Sequence, residues 1–119
     1  VTLINPFISL VEQLRIFHWQ SDTYAQHKAF GKAYEDLNDL VDEFVEVYSG
    51  KYGKPKAKLK YNITLSNFDP DYIGFIDSGI DFLDNLSNEF DNNKDSDLLN
   101  IRDEMKAVLN RLKYLLTLK

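Results

Sequence analysis

Cysteine is absent from this chain of 119 residues. Its absence excludes disulfides, zinc ribbons, iron–sulfur clusters and cysteine nucleophiles. No apolar run approaches the about 18 residues that span a bilayer, and no signal-peptide pattern opens the chain. The start at Val1 rather than Met leads us to expect a trimmed or processed N-terminus, with an extension out of view. Basic residues are the minority, 14 Lys and Arg against 19 Asp and Glu, for a net charge of −5. That balance argues against wrapping nucleic acid, which needs many cationic contacts to phosphate. It suits a protein that gathers cations. There is no nucleophile–base pair and no phosphate loop, so nothing fits a hydrolase or a transferase.

The apolar fraction is 44% and aromatics make up 13%, enough for one real core at a length that predicts a single domain over 1–119. Four amphipathic helices are expected. Asn5-Pro6, a capping residue followed by proline, opens the first, near 6–20. Phe7, Leu10, Val11, Leu14 and Phe17 repeat along it at helical spacing. The second, near 23–49, starts at Asp22 or Thr23 and is expected to stop at Gly50. The third, near 70–90, opens at Asp69-Pro70, with Gly74 and Gly79 marking close helix approach. Asp91–Ser96 reads as a turn, and the fourth helix occupies 96–117. Between the second and third helices, residues 51–68 form a long connection. It carries Gly53, Pro55 and five lysines at 51, 54, 56, 58 and 60, which read as a solvated loop. Tyr61–Phe68 alternates like a short extended piece. Short, long and short links between four helices are the pattern of an all-α, ferritin-like four-helix bundle whose crossover runs the length of the molecule. An ordinary up-down bundle is the competing topology.

Two histidines and two carboxylates carry the chemical interest. His18 stands beside Trp19 at the end of the first helix. His27 opens the second helix and is followed fifteen residues later by Asp42 and nineteen later by Glu46. Imidazole with carboxylate is a good ligand set for redox-active iron. At about 1.5 Å of rise per residue, His27 and Asp42 lie roughly 22 Å apart on one helix and cannot share an ion. Asp42 and Glu46, one turn apart, can. A site using all four must be shared: His18 and His27 of one subunit facing Asp42 and Glu46 of its mate, twice over in a two-fold dimer.

The His18-Trp19 ending and the spacing His27-x3-Gly31-x10-Asp42-x3-Glu46 resemble the Dps or mini-ferritin family, whose second helix carries His-x3-Asp-x10-Asp-x3-Glu. The resemblance covers about residues 10–50, and Gly31 stands where that family has an aspartate. It implies an iron-binding protein that oxidises iron(II) to iron(III) with peroxide or oxygen, for storage and detoxification. His18, His27, Asp42 and Glu46 would be the catalytic and metal residues, with Glu46 bridging and an open position at Gly31. Self-association into at least a two-fold dimer, and into a larger shell, is part of the same expectation. No basic tail is visible, so duplex DNA is not expected as a partner, and neither is a membrane. The second reading is a metal-free bundle that kept the fold and serves as a structural or interaction protein. Abundant Asn, Lys, Asp, Tyr and Ile hint at an AT-rich genome, bacterial or viral, so this reading includes a phage-encoded protein. On either reading the expected location is the cytoplasm, that of an infected host cell if the chain is phage-encoded. Each residue also has a plainer reading: a solvated acidic face for Asp42 and Glu46, a core aromatic for Trp19.

Overall fold

The apolar repeats fold as the periodicity predicts. In a computed structural model describing residues 2–119, the elements are α1 (Ile4–Gln20), α2 (Tyr24–Tyr52), α3 (Tyr72–Asn85) and α4 (Ser96–Leu115), with a 3-10 turn at Leu86–Asn88 after α3. Among the described residues there is no strand. The buried apolar residues of all four helices join in one core, with Phe7, Leu14, Phe30, Leu37, Phe44, Ile76, Leu83, Leu98 and Met105 fully enclosed.

Aromatic pairs fix the helix directions. Phe7 meets Phe44 at 5.1 Å between ring centroids and Phe17 meets Phe30 at 5.6 Å, so α1 and α2 are antiparallel. Phe7 also meets Phe82, and Phe17 meets Phe75, so α3 is antiparallel to α1. Ion pairs Asp77–Lys113 and Asp84–Lys106 set α4 antiparallel to α3. The order is up, down, down, up. Because α2 and α3 run the same way, the link between them must travel the length of the bundle, as the crossover reading requires.

Three side-chain amides on α1 guide that link. Asn5 Nδ2 donates to the Asn62 carbonyl at 3.3 Å. The Gln13 amide donates to the Ser66 carbonyl at 2.7 Å and accepts from its N–H at 2.8 Å. Gln20 Oε1 accepts from Phe68 N–H at 2.6 Å, and its Nε2 donates to Asn67 Oδ1. The extended piece expected over 61–68 is therefore a strap. Gln13, only 5% exposed, offers Ser66 the donor and acceptor that a neighbouring strand would give.

Helix boundaries depart from the expectation where tertiary partners override local signals. α1 starts at Ile4, with Leu3 in the cap position and no side-chain cap. Asn5 is drawn to the strap instead, and Pro6 sits in the first turn, where its missing N–H costs nothing. Thr23 caps α2, accepting from Gln26 N–H at 3.1 Å. α2 passes through Gly50 and ends at Gly53, whose φ of 92° favours glycine. Asp71 rather than Asp69 caps α3, accepting from Gly74 N–H. Gly74 is thus a capped position, whereas a Cβ at Gly79 would lie 2.9 Å from Leu10 Cδ1, the close approach expected there.

The extra turn of α2 has a visible cause. Lys51 Nζ donates to the Lys94 carbonyl at 2.6 Å and to Asp97 at 2.9 Å, and lies 3.3 Å from Asp95. The Tyr52 hydroxyl donates to the buried Asp95 carboxylate. Asp91 accepts from the N–H groups of Asn93 and Lys94. These bonds hold the carboxyls of Asp95, Asp97 and Asp91 below their usual range: the Tyr52 hydroxyl acts most on Asp95, Lys51 on Asp97, and the Lys94 N–H on Asp91. A carboxylate with a depressed folded pKa contributes stability above its unfolded value, about 3.9, and loses it as pH falls through the lower folded value. Acid unfolding is therefore expected below about pH 4, steepened by this cluster. Asp95→Asn should flatten that limb in a pH series of thermal melts. An unchanged limb would remove the cluster from the account. At the other extreme Asp97 raises the Lys51 pKa and Asp95 that of Tyr52. Their contribution is present below their ordinary values near 10 and is lost above them.

Candidate functional site

The last four carbonyls of a helix have no partner within it. At the end of α1 one of these is the His18 carbonyl, and the turn Ser21–Thr23 brings α2 back beside it. His27 Nδ1 lies 2.8 Å from that carbonyl, and His18 Nδ1 lies 2.6 Å from the His27 carbonyl. A carbonyl only accepts, so both Nδ1 atoms carry the proton. The rings stack with centroids 3.9 Å apart and planes 18° apart. The two histidines form a reciprocal lock across the α1–α2 turn, each ring held by the other residue's backbone. Ser21 Oγ adds a weaker bond to the His18 carbonyl at 3.4 Å. In neutral rings both Nε2 atoms remain as lone-pair donors. This is the tautomer of a histidine that ligates through Nε2 with its Nδ1–H held by a carbonyl.

Gly31 belongs to the lock. A Cβ there would lie 2.8 Å from His18 Cε1 and 2.9 Å from its Nδ1. The position expected to be open is filled by the His18 ring, which corrects that expectation: Gly31 is small because the imidazole packs on the α2 backbone. Tyr34, whose ring centroid is 5.4 Å from that of His18, closes the other side and is itself covered by the Arg15 guanidinium at 4.9 Å. Motif spacing gave no hint of Tyr34 or Arg15. The signal for Gly31 was its place one turn after His27, facing α1. Gly31→Asp is expected to unseat the His18 ring and lower stability by about 1–3 kcal/mol, the usual cost of overpacking. Urea denaturation checks it, and an unchanged midpoint would mean the lock has room to spare.

The other two candidate residues stand apart. Asp42 and Glu46 are exposed on the outer face of α2, one turn from each other and roughly 22 Å and 28 Å along the helix from His27 at ordinary helical rise. Among the described residues no group of three or more His, Cys, Asp or Glu is placed to hold a metal ion. Within one chain the four residues do not fit an iron centre. Trp19, read as a core aromatic, is 66% exposed; α1 turns its partner His18 inward and leaves the indole outside. No helix among the described residues is long and apolar enough to cross a membrane.

The Enterobacteria phage T4 protein described as an uncharacterized 14.6 kDa protein in the mobD-ri intergenic region is 30% identical over 105 residues, which cover 86% of this chain and 75% of the relative. No solved structure matches the chain. The model of the family of unknown function DUF5856 matches residues 18–116, from the first histidine of the lock almost to the C-terminus, and the chain belongs to that family.

Proposed function

We propose that this chain is a phage-encoded, non-enzymatic bundle of ferritin-like arrangement that acts through protein–protein contact inside the infected cell. The observation that carries it is the lock. Both Nδ1 atoms and the stacked ring faces of His18 and His27 are spent on joining α1 to α2, and His18 fills the space at Gly31. The carboxylates that would complete an iron site are far away on the same helix. The up-down-down-up order with a strapped crossover supports the ferritin-like arrangement, and the phage relative supports the setting. What remains for Asp42 and Glu46 is a charged, solvent-facing helix surface, the material of an interface.

One observation favours a second reading. The free Nε2 atoms have the tautomer expected of ligands, so two copies arranged with His18 and His27 against Asp42 and Glu46 would bring together an iron(II) site between subunits, the iron being substrate. Calorimetric titration of the protein with iron(II) under anaerobic conditions separates the two. The interaction reading expects no saturable binding. Stoichiometric binding that Glu46→Gln abolishes would establish the ferroxidase reading in its place.

A further inference from the structure

The outer face of α2 carries its charges in the sense a lone helix disfavours. Lys28 and Lys32 stand near its N-terminus, and Glu35, Asp39, Asp42, Glu43 and Glu46 follow toward its C-terminus, all exposed. The helix dipole prefers the reverse, acids first and bases last, and carboxylates three and four residues apart repel. Some surface acids do have a lysine beside them: Asp77 with Lys113 and Asp84 with Lys106 between α3 and α4, and Asp36 with Lys32 on α2 itself. Among the described residues none of those five α2 carboxylates is in an ion pair. The Lys28 ammonium lies over the Tyr24 ring, 5.8 Å from its centroid. Among the described residues Arg111, exposed on α4, has no carboxylate partner; it lies with Lys32 along a shallow apolar groove of about 170 Å³ floored by Ala33 and Leu112.

The two signs are spaced evenly about one residue. Lys28 and Glu46 lie nine residues either side of Leu37, and Lys32 and Asp42 lie five either side. We propose that this face binds a second copy of the chain, α2 against α2, antiparallel, with the two-fold axis at the level of Leu37. Lys28 then stands opposite Glu46 of the second copy, and Lys32 opposite its Asp42 and Glu43. The symmetry repeats every contact. Arg111 extends the basic end toward the mate's Asp39 and Glu43. A parallel pairing sets lysine against lysine and acid against acid, so the charges select the antiparallel one. Glu35 and Asp39, two residues either side of Leu37, meet near the axis and oppose the pairing; they are fewer than the attractive contacts. In this interface Asp42 and Glu46 are neutralised by ammonium groups rather than by iron. The proposal rests on the interaction reading and names its partner.

Charge reversal tests it. The variant pair Lys28→Glu with Lys32→Glu, and the pair Asp42→Lys with Glu46→Lys, touch only exposed side chains. Circular dichroism should therefore match wild type, and thermal melting should shift only slightly, through loss of the exposed Lys32–Asp36 ion pair in the first variant pair. By sedimentation velocity at low ionic strength, wild type is expected to be dimeric and to dissociate on adding salt. Each variant pair alone should weaken self-association by about tenfold or more, roughly 1.4 kcal/mol. An equimolar mixture of the two should restore it, because every reversed charge then meets its complement. A monomeric wild type at low salt, or a dimer indifferent to both reversals, overturns the proposal. Iron(II) titration of the same samples addresses the underlying reading separately: bound iron with intact charge pairing would defeat that reading and leave the interface standing.

Discussion

Phe7→Ala should cost about 3–5 kcal/mol of folding stability, a large part of the about 5–15 kcal/mol that holds a domain of this size together. The ring is fully enclosed and meets Phe44 of α2 edge-on at 5.1 Å and Phe82 of α3 at 5.5 Å. It is therefore the contact that three helices share at the end of the bundle where α1 begins. Truncation leaves a cavity that the two remaining rings cannot close, and it removes edge-to-face contacts worth about 0.5–1.5 kcal/mol each beyond buried area. Phe7→Leu keeps most of the volume and should cost far less. Equilibrium urea unfolding measures both. A loss below about 1 kcal/mol for the alanine variant would mean that the bundle end repacks freely, well outside the usual range for such sites.

Arg102→Ala is the second large effect. The guanidinium is buried, 8% exposed, and Nη1 donates to the Leu83 carbonyl at 2.9 Å and to Ser87 Oγ at 2.8 Å, while Nε donates to Asp103. It thereby ties the end of α3 to α4 and supplies a donor to a terminal carbonyl of α3. Charge-assisted bonds of this kind contribute about 1.5–3 kcal/mol, and the substitution should lower stability by that amount. Arg102→Lys should recover only part of it, since one ammonium on a shorter reach does not reproduce the planar fork. Full recovery with lysine would show that charge alone matters there.

Much of this fold was legible because helix periodicity is a local property. Phe7, Leu10, Leu14 and Phe17 mark the inner stripe of α1 with no knowledge of what they touch, and the long link at 51–68 sets the topology. Boundaries were less legible because distant partners set them. Asn5 serves the strap instead of the cap, and Lys51 and Tyr52 draw α2 past Gly50 to reach Asp95. Arg102 reads in sequence as a surface charge, and nothing local announces the Leu83 carbonyl nineteen residues away. In the candidate site the separation of His27 from Asp42 was legible, because α2 runs unbroken from Tyr24 to Tyr52 and helical rise then sets the distance. What spacing does not carry is ring orientation: that His18 and His27 face each other, and that Gly31 is the floor under an imidazole, follow only from the angle at which α2 leaves the Ser21–Thr23 turn.

On the proposed interaction reading, the two histidines hold the α1–α2 turn instead of holding iron. They are the chain's only histidines, so a long-range proton–nitrogen NMR spectrum of the imidazoles resolves the matter residue by residue. Recorded anaerobically at neutral pH, it should show both rings with the proton on Nδ1, unchanged by one equivalent of iron(II) per chain. Paramagnetic shift or loss of both ring signals at one equivalent, reversed by Glu46→Gln, would contradict the account and assign His18 and His27 to iron.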